Sequence, residues 1–98
     1  MNIEIKRNKE EVILVVSGRL DTTTAPTLDK TLSDVLNEVK NVVLDIKELE
    51  YISSAGLRVL LSAQKKIHKN GSMVIRNVCA EIMEIFEMTG FADILTIE

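Results

Sequence analysis

Apolar and charged residues alternate from Ile3 to Arg7, break at Asn8-Lys9-Glu10-Glu11, and give way to an unbroken apolar run from Val12 to Val16. A period of two, a polar turn and a second apolar run predict a β-hairpin. Its first strand has one wet face, whereas the second, apolar throughout, belongs inside a sheet. Ser17-Gly18 is read as the end of that strand. The following stretch, Arg19-Leu20-Asp21-Thr22-Thr23-Thr24-Ala25-Pro26, is rich in small hydroxyl residues. Its proline suits a first helical turn, where the missing N–H would have had no partner. A helix is expected from near Thr24.

Leu28, Leu32, Val35, Leu36 and Val39 then draw one apolar stripe at helical spacing, with Asp29, Lys30, Asp34, Asn37, Glu38 and Lys40 outward. Val42 to Ile46 reads as a strand covered on both faces by crossover helices, and strand–helix–strand implies a parallel pair. A short acidic loop leads into Tyr51-Ile52-Ser53-Ser54-Ala55-Gly56-Leu57, where a second helical period begins through Leu60, Leu61, Gln64 and Ile67. Asn70-Gly71 supplies a stop, since both residues tolerate the left-handed conformation. Ser72 to Arg76 reads as a short strand. Ile82, Ile85, Phe86 and Thr89 mark a third helix closed by Gly90, and Ile94 to Ile97 reads as a brief terminal strand. The pattern predicts an α/β fold: one small domain over residues 1–98, a mixed sheet of four to five strands and three or more helices.

Composition narrows the function. With 98 residues and 46% apolar content the chain suits a single core, burying roughly 60–65% of the surface exposed on unfolding. A single cysteine, Cys79, has no partner for an internal disulfide, and neither a long apolar run nor a charged-then-apolar leader is visible. The expectation is a soluble, cytosolic protein that inserts into no membrane. A formal net charge of −3 gives no electrostatic reason to bind nucleic acid directly. The basic run Lys65-Lys66-Ile67-His68-Lys69 falls near a helix end, where cations offset the negative end of the macrodipole.

Catalytic sets are missing. A dyad of Ser54 with the lone histidine, His68, would span about 20 Å along one continuous helix. Cys79 opens the last helix without a histidine beside it, and reads as a small packed residue. One His and one Cys are no zinc set, and Asp21 and Asp45 alone make a thin case for a hard cation. No glycine-rich phosphate loop occurs. Gly18 and Gly56 read as positions of close backbone approach, Gly71 and Gly90 as helix stops. No enzyme activity, cofactor or metal is expected.

What stands out is a pair of hydroxyls where a strand hands over to a helix. The first N–H groups of a helix lack intrahelical partners and carry the positive end of its dipole. A serine there serves as an N-cap or carries a phosphate. Asp21 and Ser53-Ser54 both follow strands and precede helices, so they should share one rim of the sheet. A phosphate on Ser54 would bring about −1.5 to −2 charges to that rim. Such a charge alters a partner surface while the fold persists. Thr22, Thr23 and Thr24 read mainly as loop and cap residues.

Gly18-Arg19-Leu20-Asp21 with Thr22-Thr23-Thr24-Ala25, and Val43-Leu44-Asp45 with Tyr51-Ile52-Ser53-Ser54-Ala55-Gly56-Leu57, resemble two loops of the STAS-domain family across essentially the whole chain. Within it, the resemblance is to small bacterial anti-sigma factor antagonists. It implies partner switching. The unphosphorylated antagonist binds an anti-sigma factor that is also a serine kinase and so frees a sigma factor; the kinase then phosphorylates the antagonist, and a phosphatase restores it. By position the phosphorylated serine falls on Ser54, with Ser53 second, since many relatives carry aspartate where Ser53 stands. The implied partner-binding residues are Asp21, Thr22, Thr23, Ser53, Ala55 and Gly56. An alternative within the resemblance is a STAS module that is never phosphorylated, serving as a structural or ligand-sensing subunit of a transporter or lipid-transport complex.

Overall fold

A computed structural model of the chain describes residues 1–67 and 71–98. In chain order it has β1 (Asn2–Arg7), β2 (Glu11–Leu20), α1 (Ala25–Glu38), β3 (Asn41–Asp45), β4 (Leu49–Ile52), α2 (Ser54–Ile67), β5 (Ser72–Arg76) and α3 (Ala80–Thr89), then a 3-10 turn (Phe91–Asp93). The five strands form one mixed sheet in the order β1-β2-β3-β5, with β4 on the far part of β2. β1 is antiparallel to β2, and β2·β3, β3·β5 and β2·β4 are parallel.

Register decides which face is the core. Val12, Leu14 and Val16 of β2 stand beside Val42 and Leu44 of β3, which stand beside Met73 and Ile75 of β5. These join Leu28, Leu32 and Val35 of α1, Leu57, Leu60 and Ile67 of α2, and Ile82 and Phe86 of α3 in a single buried cluster. Ile13, Val15, Val43 and Val74 point the other way and take no part in that cluster. The helices therefore cover one face only, which corrects the reading of β3 as sandwiched. Val43 is nonetheless buried, beside its paired neighbours Ile13 and Val74.

β2 does not stop at Ser17-Gly18. Gly18 adopts φ +88°, a left-handed value that costs a side chain about 1–2 kcal/mol, and the strand register shifts between Gly18 and Arg19. That irregularity lets β2 leave β3 and continue beside β4. The supposed acidic loop is correspondingly shorter, because Leu49 to Ile52 is a strand with both apolar ends buried. Its apolar residues are three apart rather than two, so no alternation announces it.

At the C-terminus the expected strand from Ile94 to Ile97 is reduced to one parallel bridge, Ile75 to Ile97, after the 3-10 turn. Gly90 caps α3 with φ +81°, as its place after Thr89 suggests. Gly71 behaves otherwise. Its φ is not positive, and a Cβ there would collide with the backbone of Lys40, so crowding rather than handedness requires glycine. Asn70 and His68 lie outside the described residues.

Candidate functional site

Leu20 and Ile52 are paired residues of parallel neighbours and both are buried, so the loops that follow them emerge side by side. The backbone N–H of Ser53 donates to the Leu20 carbonyl at 2.9 Å, which extends that pairing by one residue. The Ser53 carbonyl then accepts from the Leu57 N–H at 2.9 Å, and its hydroxyl accepts from the Gly56 N–H at 3.3 Å. Ser53 is the N-cap of α2, satisfying one of the donors that every helix start leaves unpaired.

Ser54 occupies the first helical position, is exposed, and makes no side-chain hydrogen bond among the described residues. Adjacent in sequence, the two hydroxyls thus have different occupations. Ala55 is half-buried against the core. Gly56 is buried, and a Cβ on it would lie 2.7 Å from Leu20 Cγ and 2.9 Å from Ile52 Cγ1. The glycine lets the first turn of α2 settle on the ends of β2 and β4; it has no side chain to offer a partner.

The Asp21 loop is closed by its own hydrogen bonds. Asp21 Oδ1 accepts from the Thr23 hydroxyl at 2.7 Å and from the N–H groups of Thr23 and Thr24 at 3.0 and 3.2 Å. In return the Asp21 N–H donates to Thr24 Oγ1 at 2.8 Å, while the Thr24 hydroxyl donates to the Arg19 carbonyl at 2.8 Å. The Thr23 hydroxyl, foremost, and the two N–H groups hold the Asp21 carboxyl below the usual carboxylate range. Asp21 therefore caps the turn that leads into α1, and only its second oxygen looks outward, 3.8 Å from Arg19 Nε. Thr22 and Thr23 are exposed beside it.

Three side chains on this rim are absent from the partner set read in the sequence. The Arg19 guanidinium lies 4.2 Å from the centre of the Tyr51 ring, and both side chains are well exposed. Their contact depends on the β2·β4 register, which pairs the two residues directly. The third is Arg58, exposed one turn after Ser54; its spacing of four was legible all along.

The other candidates separate. Asp45 Oδ1 accepts from the Lys47 N–H and from Asn77 Nδ2, each at 3.1 Å, a network of its own apart from Asp21. Among the described residues no three His, Cys, Asp or Glu side chains gather as a metal site would require. Cys79 is half-buried at the N-cap of α3 and packs against the core.

The chain that carries this rim is matched over its whole length by known proteins. The STAS domain family model covers residues 2–98. The chain belongs to the STAS family. Among curated STAS relatives, an anti-sigma-B factor antagonist of Listeria monocytogenes is 32% identical over 102 residues, with 100% of this chain and 89% of the relative covered. The crystal structure of an anti-sigma factor antagonist from Mycobacterium paratuberculosis shares the STAS fold at a TM-score of 0.89 and 21% identity, over 98% of this chain and 83% of that one. The Bacillus cell fate determinant SpoIIAA, solved in a phosphorylated form, does so at 0.77 and 15%, over 99% and 91%. No helix of the described STAS chain is long and apolar enough to cross a membrane.

Proposed function

We propose that this STAS domain is an anti-sigma factor antagonist, a binding protein and not an enzyme, that works in the cytoplasm. Unphosphorylated, it engages an anti-sigma factor serine kinase and so frees a sigma factor. Phosphorylation of Ser54 by that kinase ends the engagement, and a phosphatase restores it. The observation that carries this reading is the division of labour between the two serines: the Ser53 hydroxyl is spent on the Gly56 N–H, while Ser54 is exposed and uncommitted. The names of the relatives support the antagonist role, and the phosphorylated SpoIIAA structure supports the modification.

The chemistry agrees in sign. A phosphate at the first position of α2 meets the positive end of the helix dipole, so the domain stays folded. A partner patch fitted to a neutral hydroxyl must instead desolvate or repel a doubly charged group, at a cost of several kcal/mol in a like-charged setting. Incubation with its cognate kinase and ATP should add one phosphate, located on Ser54 by mass spectrometry. Ser54→Ala should abolish it, and Ser54→Asp should weaken kinase binding with an unchanged circular dichroism spectrum. Phosphate found chiefly on Ser53, or none, would falsify the assignment.

A further inference from the structure

We propose that Arg58 receives the phosphate of a modified Ser54 in a pair within α2, so that modification adds charge to the rim and also withdraws a guanidinium from the partner's reach. The proposal rests on the reading of Ser54 as the modified residue.

Ser54 and Arg58 are four apart on α2 and both exposed. Side chains at that spacing are neighbours on a helix surface, with Cβ atoms about 5–6 Å apart. Helical side chains also tilt toward the N-terminus, which brings a long arginine at this position within reach of the turn that Ser54 opens. Arg58 is uncommitted: among the described residues it makes no ion pair and no side-chain hydrogen bond, whereas Arg7, Arg19 and Arg76 are paired with Glu38, Asp21 and Glu98. The first turn of α2 holds no acidic residue, so no carboxylate of that turn competes for the guanidinium. The planar fork of arginine matches two phosphate oxygens at once, which favours the dianion over the monoanion. The rim's other guanidinium, Arg19, already faces the Tyr51 ring and Asp21.

Phosphoserine placed at position 54 of the full chain during translation allows a direct test by phosphorus NMR titration. The second phosphate pKa, ordinarily about 6, should be lower in the wild-type background than with Arg58→Gln by a few tenths of a unit. Arg58→Lys should recover part of that difference, and Arg19→Gln should leave the wild-type curve in place. Superimposed curves for the wild type and Arg58→Gln would overturn the pairing, as would a shift lost with Arg19→Gln and kept with Arg58→Gln. Because the phosphate is installed without a kinase, this outcome is separate from whether a kinase selects Ser54.

Discussion

Ser53 and Leu20 are joined by one hydrogen bond, from the Ser53 N–H to the Leu20 carbonyl at 2.9 Å, and it binds the start of α2 to the end of β2. Through it the Asp21 loop and the serine pair become one surface. Removing side chains on either side of this bond therefore separates what holds the rim from what the rim presents.

The two serines should part company on mutation. Ser53→Ala removes the N-cap of α2 and should cost about 1 kcal/mol, read as a melting temperature lower by roughly 4–8 °C for a domain of this size. Ser54→Ala removes no hydrogen bond seen among the described residues, and should change stability by less than about 0.5 kcal/mol. Equal losses in urea unfolding for both variants would contradict the assignment of the cap.

Gly56→Ala puts a methyl group where Leu20 Cγ and Ile52 Cγ1 leave no room. Overpacking of this kind costs about 1–3 kcal/mol. The first turn of α2 should lift from the sheet, so partner binding should weaken along with stability. An Ala variant as stable as the wild type, by chemical denaturation, would show that α2 does not rest on those two side chains.

Asp21 has two jobs that a pH series separates. The family resemblance implies a partner contact here, but its Oδ1 also closes the turn before α1. Asp21→Ala should therefore lower the melting temperature as well as the affinity for the kinase. The carboxyl pKa is depressed on folding from an ordinary 3.8, so its contribution is complete above that value and fades as pH falls through the folded pKa. The gap between wild type and variant should be level at neutral pH and narrow under acid conditions. A gap that widens toward low pH would reverse the sign and exclude the capping role.

Much of the fold was legible because its signals are local. The turn at Asn8 to Glu11, the stripes of α1 and α2 and the stop at Gly90 each follow from neighbours a few residues apart. The strand β4 was not legible, since Leu49 and Ile52 become a strand only by pairing with an extension of β2 beyond Gly18. The same register creates the Arg19–Tyr51 contact. Local pattern likewise left the uncovered face of the sheet unannounced, because β3 is apolar at Val42, Val43 and Leu44 alike while only Val42 and Leu44 meet helices.

By itself, then, the amino-acid order determined that one α/β domain would place two hydroxyls at a helix start. Periodicity and residue chemistry act over one or two turns of chain, which suffices for that. Which serine caps and which faces water was decided by the tertiary structure alone. The choice depends on where β4 ends against Leu20, a contact between residues more than thirty positions apart that no local spacing encodes.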